Sequence, residues 1–190
     1  LFFLRETDAL VLFPGGFGTQ DEVFECLTLI QTGKSTLVPI VLVEQPGGSY
    51  WKSWDRHIRD HLLGAGLISP EDLSLYQITY DNAEACRMVT SFYRVYHSSR
   101  YVGDRLVLRL KSELSDAHMD YLNETFSDIL VKGKIEKSGP VVQELDPELA
   151  SLHRIVLYFN QRDLGRLRQM IQVINELEQD SPAATHPEQR

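Results

Sequence analysis

The chain has 190 residues, of which 43% are hydrophobic and 24% are charged, and its formal net charge is -8 at pH 7. This composition is ordinary for a globular chain that is long enough to bury a core. The negative charge argues against nucleic acid or an anionic membrane as a partner, because both need clustered Lys and Arg. No apolar run approaches the roughly 18 to 20 residues that cross a bilayer.

The first half of the chain alternates between apolar, β-branched runs, which predict strands, and amphipathic stretches, which predict helices. This alternation is typical of a doubly wound parallel sheet with helices on both faces. Only three strands are present, whereas sheets commonly have about five or six. In chain order the sequence predicts a helix end at 1–6, a strand at 9–13, a helix to about 32, a strand at 37–43, a helix at 50–63, a helix start at 69–72, a strand at 76–80 and a helix at 83–96.

A second pattern follows residue 97. It predicts a strand at 105–110, a helix with a stripe from Met119 to Ile129, short strands at 134–137 and 141–144, a strand at 155–159 and a final helix at 164–177. This β-α-β-β-α order resembles the small, ferredoxin-like α+β layout. The sequence therefore divides into a parallel α/β domain at 1–97, an α+β unit at 98–180 and a Pro-rich tail at 181–190 that we expect to be disordered.

The two cysteines, Cys26 and Cys86, lie in predicted helices and lack the spacing of a metal site. We expect both to be reduced thiols in a cytoplasmic protein, since disulfides are rare in that compartment. Neither cysteine is in a context that favours a nucleophile.

The stretch LVLFPGGFGTQDE at residues 10–22 contains the most informative motif. An apolar strand ends at Pro14, three glycines follow within four residues, and polar residues then open a helix. Glycines let the backbone approach a ligand, while the start of a helix offers free N–H groups and the positive end of its dipole. This combination suits a phosphate group, although a tight turn without a ligand has the same requirements.

Two common phosphate-binding patterns do not fit. The dinucleotide fingerprint needs a third glycine where the chain has Asp21, although Glu44 at the end of the next strand is suitably placed for a ribose contact. The tripeptide Gly33-Lys34-Ser35 imitates the end of a P-loop, but the earlier glycine of that motif is replaced by Thr28. We interpret Gly33 as a helix cap.

Thr19 and Glu22 suggest a reaction at this loop. The hydroxyl and N–H of Thr19 are both able to face a phosphate at the helix start, and Glu22 lies one turn further along. A carboxylate beside an anion site is unfavourable unless it acts on a developing positive charge. A sugar that passes through an oxocarbenium-like state supplies such a charge.

The sequence PGGFGTQDE at 14–22 resembles the PGGxGTxxE motif of the LOG (Lonely Guy) family, long mislabelled as lysine decarboxylases. The resemblance covers about residues 1–97 and implies a Rossmann-like fold and a phosphoribohydrolase that releases the base from a nucleoside 5′-monophosphate. It implies that Gly15, Gly16, Gly18 and Thr19 hold the phosphate and ribose and that Glu22 is the catalytic carboxylate. It further implies a homo-oligomer and a reaction without a metal or organic cofactor.

The chain differs from the family pattern at its start. The family has an earlier glycine-rich motif and an Arg that partners the motif Glu, and we expect this chain to lack that N-terminal half. Arg5 lies closer to the strand than the family Arg, so it receives no role. A non-catalytic nucleotide sensor or carrier, and an inactive fragment of an active protein, remain open alternatives. The unit from residue 101 resembles an extension found on larger bacterial members.

Other candidate sites are weaker. His57 and His61 have the spacing of two zinc ligands but lack the Glu that would act as a base, which favours a solvated pair. Lys34 and Lys52 lie in no recognisable context for a Schiff base with pyridoxal phosphate. The aromatic residues at 50, 51 and 54 either border a base pocket or form the buried face of a helix, and the second interpretation is favoured.

Overall fold

The computed structural model describes residues 7–140 and 147–177. The fold is a mixed α/β arrangement with a three-stranded parallel sheet and a four-stranded antiparallel sheet. The predicted helix end at 1–6, the predicted strand at 141–144 and the tail at 181–190 lie outside the described residues. The strands are β1 (Leu10–Leu12), β2 (Ile40–Val43), β3 (Tyr76–Thr79), β4 (Tyr96–Val102), β5 (Arg105–Leu110), β6 (Leu130–Ser138) and β7 (His153–Phe159).

The parallel sheet has the order β1-β2-β3. All four residues of the central strand, IVLV, are buried, as expected for a parallel strand covered on both faces. The helices of this half are α1 (Phe17–Gln31), α2 (Tyr50–His57) and α3 (Asn82–Phe92). Because the strands are parallel, their carboxyl ends lie at one edge, and the loops after Leu12, Val43 and Thr79 meet there.

The ends of these helices follow local sequence signals. Gly33 has φ +67° and closes α1, which confirms the predicted cap. The predicted helix at 50–63 is an α-helix to His57 that continues as a π-helix over Ile58–Leu63. The predicted helix start at 69–72 is a 3-10 helix, Pro70–Leu75, with a capping box between Ser69 and Asp72.

One predicted boundary is wrong. The helix predicted at 83–96 ends at Phe92, and Tyr96 begins strand β4. The cause is distant in sequence: Asn175 Oδ1 accepts hydrogen bonds from Val95 N at 2.8 Å and Tyr96 N at 3.0 Å, and Asn175 Nδ2 donates to Phe92 O at 2.7 Å. These bonds satisfy the backbone groups at the point where the helix stops.

The antiparallel sheet has the order β4-β5-β7-β6. Its helices are α4 (Asp116–Thr125), the short α5 (Pro147–Ala150) and α6 (Leu164–Leu177), with a 3-10 turn at Ser127–Ile129. After residue 105, β5, α4, β6, β7 and α6 follow the predicted β-α-β-β-α order, with the short α5 between β6 and β7. Strand β4 before them was not predicted. The strand predicted at 134–137 is longer because two register shifts, between Leu130 and Lys132 and between Lys132 and Glu136, keep it paired to β7, and Gly133 in the second has φ +70°.

Helix α6 packs against the parallel half of the molecule. A Cβ atom on Gly165 would lie 2.7 Å from Asp72 N, so the backbone of α6 approaches the 3-10 helix Pro70–Leu75 too closely for any side chain. Ser74 Oγ also donates to Gly165 O at 2.8 Å. One hydrophobic core runs through both sheets, from Val23 and Ile40 to Leu108 and Ile171.

Among the described helices, none combines the length and apolarity needed to cross a membrane.

We predict that Gly165→Ala lowers the free energy of unfolding by about 1–3 kcal/mol, because the added methyl group meets backbone atoms that cannot rotate away. Urea denaturation followed by circular dichroism measures this change. Gly139→Ala is the matched control, since a Cβ at Gly139 meets no atom within 4 Å. Equal stability of the two variants would contradict the close packing of α6.

Candidate functional site

The glycine loop leads directly into α1 and leaves the start of this helix uncapped. Gly16 is the N-cap residue, with φ -86° and ψ -154°, and no side chain of the described residues caps the helix. The first backbone bond runs from Gln20 N to Gly16 O at 3.2 Å, so the N–H groups of residues 17–19 have no helical acceptor. The first turn contains no acidic residue to neutralise the dipole. The arrangement is suited to an anion.

Gly15 packs against Thr19. A Cβ atom at Gly15 would lie 3.0 Å from Thr19 Cβ and closer still to Thr19 Oγ1. Gly16 and Gly18, by contrast, have open space where a Cβ would lie. The three glycines therefore differ in what they require: Gly15 makes room for Thr19, whereas the other two leave their surroundings accessible.

Tyr50, the first residue of α2, braces the glycine loop. Its hydroxyl donates to Gly15 O at 2.7 Å and accepts a hydrogen bond from Gln20 Nε2. The loop before α1 is thus attached to the start of a second helix. We did not predict this role, because the sequence assigned Tyr50 only to a base pocket or a buried helix face.

Glu44 organises the neighbouring loop. It directly follows β2 and is 3% exposed, its Oε2 accepts from Trp51 N at 2.7 Å, and its Oε1 accepts from Gln45 N at 3.1 Å. A Cβ at Gly48 would lie 2.8 Å from the carboxyl carbon, which explains a glycine there. One carboxylate oxygen holds a backbone N–H group at the start of α2 and the other holds the N–H group at the start of the loop, so Glu44 has a structural role and is not positioned as a ribose ligand.

Glu22 lies one turn after Thr19 on α1 and is half-buried. Residues three apart share a helix face, so its carboxylate lies on the same side as the Thr19 hydroxyl. Within the described residues, the Glu22 carboxylate makes no hydrogen bond and no ion pair. The sequence-predicted residues Gly15, Gly16, Gly18, Thr19 and Glu22 thus come together at the carboxyl edge of the parallel sheet.

Cys26 lies one further turn along α1. Burial, followed by the negative charges of Glu22 and Glu25, raises the pKa of Cys26 to about 12. The thiol stays protonated near neutral pH, as expected for a residue that is not a nucleophile.

The end of β3 completes this edge of the sheet. Thr79 Oγ1 donates to a carboxylate oxygen of Glu84 and accepts from Asp81 N at 3.2 Å. Asp81 caps α3 by accepting from Glu84 N at 2.9 Å, and bonds to backbone N–H groups lower the pKa of the Asp81 carboxyl. These side chains stabilise the start of α3.

The weaker candidates lie on the surface or in the core. The rings of His57 and His61 are exposed, with centroids 4.7 Å apart. Lys34 and Lys52 are exposed. Trp51 is fully buried and donates from Nε1 to Val43 O at 3.2 Å, while Trp54 packs against Phe24 and Tyr76. The two tryptophans thus form the buried face of α2.

The first half of the chain matches a known family. The model of the family described as "Possible lysine decarboxylase" matches residues 1–89, which include the glycine loop, α1, β2 and the start of α3. No curated protein gave a significant match to the chain.

We predict that Gly15→Ala lowers the free energy of unfolding by about 1–3 kcal/mol, because its methyl group displaces Thr19. Gly18→Ala is the control, since its methyl group meets open space and alanine favours a helix by about 1 kcal/mol. Thermal or urea unfolding of both variants tests the prediction. If Gly15→Ala is as stable as the parent chain, the contact between Gly15 and Thr19 does not constrain the loop.

Proposed function

Because residues 1–89 place the chain in the LOG family of possible lysine decarboxylases, we propose that it hydrolyses the N-glycosidic bond of a nucleoside 5′-monophosphate. Water adds to the sugar carbon, and the products are the free base and ribose 5-phosphate. The observation that supports this reaction is the start of α1, which no side chain within residues 7–140 and 147–177 caps, with the Glu22 carboxylate one turn away and without a hydrogen-bond partner in the same ranges.

In this proposal the start of α1 binds the 5′-phosphate. The N–H groups of residues 17–19 and the Thr19 hydroxyl donate to phosphate oxygens, and the glycines at 16 and 18 leave room for the group. The phosphate is remote from the bond that breaks, so its binding energy orients the sugar rather than acting on the leaving group. Tyr50 keeps the loop in place through Gly15.

Glu22 acts on the sugar. As the bond to the base breaks, positive charge develops on the ribose ring, and a carboxylate nearby stabilises it or positions the attacking water. The reaction needs no metal or organic cofactor. The older decarboxylase label fits less well, because a Schiff-base lysine is activated by desolvation, whereas Lys34 and Lys52 are both exposed.

We further propose that β1–β3 and their helices are the C-terminal half of a Rossmann-like doubly wound sheet in a homo-oligomer. Phe17 is 96% exposed and Phe13 55% exposed on either side of the glycine loop. Large apolar side chains in this position are typical of a surface that a base or a second copy of the chain covers.

For the antiparallel unit we propose a ferredoxin-like fold, because β5, β7 and β6 follow the order of a split β-α-β unit, with β4 added beside β5.

A second candidate is a non-catalytic nucleotide sensor or carrier. One observation favours it: among the described residues, Glu22 has no cationic partner, whereas the family motif pairs this Glu with an Arg. The two candidates differ in one measurement. Chromatography of a panel of nucleoside 5′-monophosphates incubated with the chain shows released base for the enzyme and only binding for the sensor.

We predict that Glu22→Gln lowers the rate of base release by about 10²- to 10⁴-fold, the range of a lost general acid-base or charge-stabilising group. Calorimetry should show nearly unchanged nucleotide affinity, because the phosphate contacts remain. Asp21→Asn is the control for a lost charge, since Asp21 is exposed on the same helix turn. Full activity of Glu22→Gln would refute the proposed role.

We predict that Gly18→Ala weakens binding of every nucleoside 5′-monophosphate in the panel by at least about tenfold, although the free chain folds normally. The added methyl group meets no protein atom, so only the ligand is displaced. Calorimetric titration measures the affinity, and unfolding experiments verify the fold. Unchanged affinity would assign the glycine loop to a turn that does not contact the phosphate.

A further inference from the structure

A cavity of about 200 Å³ lies between α3 and α6, where the two halves of the molecule meet. It shares no residue with the glycine loop. Its walls are mostly polar and come from β3, α3, the turn after α3 and α6, and its polar lining consists of Gln77, Ser91, Arg94, Arg168, Gln172, Asn175 and Glu176.

Arg168 is the unusual member of this lining. It is 5% exposed, and its Nε is buried without a hydrogen-bond acceptor among the described residues. Its guanidinium lies over the ring of Phe92, with Cζ 4.7 Å from the centroid. Burial lowers the pKa of Arg168 to about 10, which Glu176 opposes in part, so the side chain is still a cation near neutral pH. Buried charges in proteins are normally paired.

The other buried arginines of the described chain have such partners. Arg154 is 2% exposed and donates from Nη2 to Leu149 O at 2.6 Å. Arg109 is 6% exposed and donates from Nη1 to Ser98 Oγ at 3.0 Å. A buried guanidinium in this molecule therefore binds an acceptor, and Arg168 differs because it faces a cavity instead.

We propose that the cavity between α3 and α6 binds a small oxyanion, a phosphate or carboxylate group, through the guanidinium of Arg168. A guanidinium presents parallel N–H donors that match two oxygens of such a group. The volume suits a single anionic group or a small metabolite, since sites for larger ligands span about 300–1,000 Å³. Glu176 is exposed at the rim and accepts from Gln172 Nε2 at 2.9 Å. The buried charge in this lining is therefore the positive charge of Arg168.

Binding at this position acts on the contact between the two halves. Arg168 belongs to α6, and the ring that it covers, Phe92, belongs to α3. The backbone at the end of α3 is also held by Asn175 of α6. An anion bound to Arg168 neutralises the buried charge at this junction, and a ligand that binds only the folded state stabilises that state.

Nuclear magnetic resonance of the arginine Nε–Hε groups tests the proposal on the whole chain. Inorganic phosphate, acetate and chloride are titrated at equal ionic strength, and the Arg168 signal is followed. We expect a saturable shift with phosphate or with acetate but not with chloride, and the more effective probe identifies a phosphate-bearing or a carboxylate-bearing ligand. The glycine loop contains no arginine and shares no residue with the cavity, so the absence of a shift in the Arg168 signal leaves the proposed function untouched.

Variants give a second measurement. Thermal stabilisation by the effective anion should require at least about tenfold more anion in Arg168→Met, the fold-change that corresponds to loss of a charged hydrogen bond. Arg168→Lys keeps the positive charge but lacks the paired N–H donors of a guanidinium. The anion concentration that it needs should lie between those of the parent chain and Arg168→Met, and this variant provides the test if Arg168→Met does not fold. Arg162→Met, an exposed charge outside the cavity, should respond like the parent chain. No selective shift of the Arg168 signal, or equal responses of all variants, would overturn the proposal.

Discussion

The carboxylate of Glu44 is the interaction on which the candidate site depends. By accepting the N–H groups of Gln45 and Trp51, it fixes where α2 begins relative to the end of β2. Tyr50 therefore has a defined position, and its hydroxyl fixes Gly15 in the loop before α1. A buried charge is tolerated because its oxygens are hydrogen-bonded. The geometry of the glycine loop is thus set partly by a carboxylate in the loop after the next strand.

The features predicted correctly from the sequence are those that interactions between neighbouring residues in the chain determine. The glycine run, the cap at Gly33 and the uniformly apolar β2 each depend on a few consecutive residues. The same is true of the placement of Thr19 and Glu22, because helical spacing brings them to one face. Their roles in binding and reaction stay predictions, based on the family resemblance and the accessible helix start.

The features that were missed depend on residues far apart in sequence. Strand β4 replaces the end of a predicted helix because Asn175, 80 residues later, binds the backbone there. The structural role of Glu44 and the brace from Tyr50 likewise require two loops to be adjacent in space. In the sequence, Arg168 looks like an exposed polar position of an amphipathic helix. Only the structure shows that its guanidinium is buried against Phe92 of α3. Periodicity contains no information about such partners.

The position of α6 also has a consequence for folding. Its glycine contacts the backbone of Glu71 and Asp72, more than 90 residues earlier, and Ser74 donates to the same glycine. Closing such long loops is entropically costly and slows folding. During synthesis, the surface of the 3-10 helix Pro70–Leu75 stays uncovered until α6 has left the ribosome. The backbone of Glu71 and Asp72 therefore lacks its α6 neighbour for that interval.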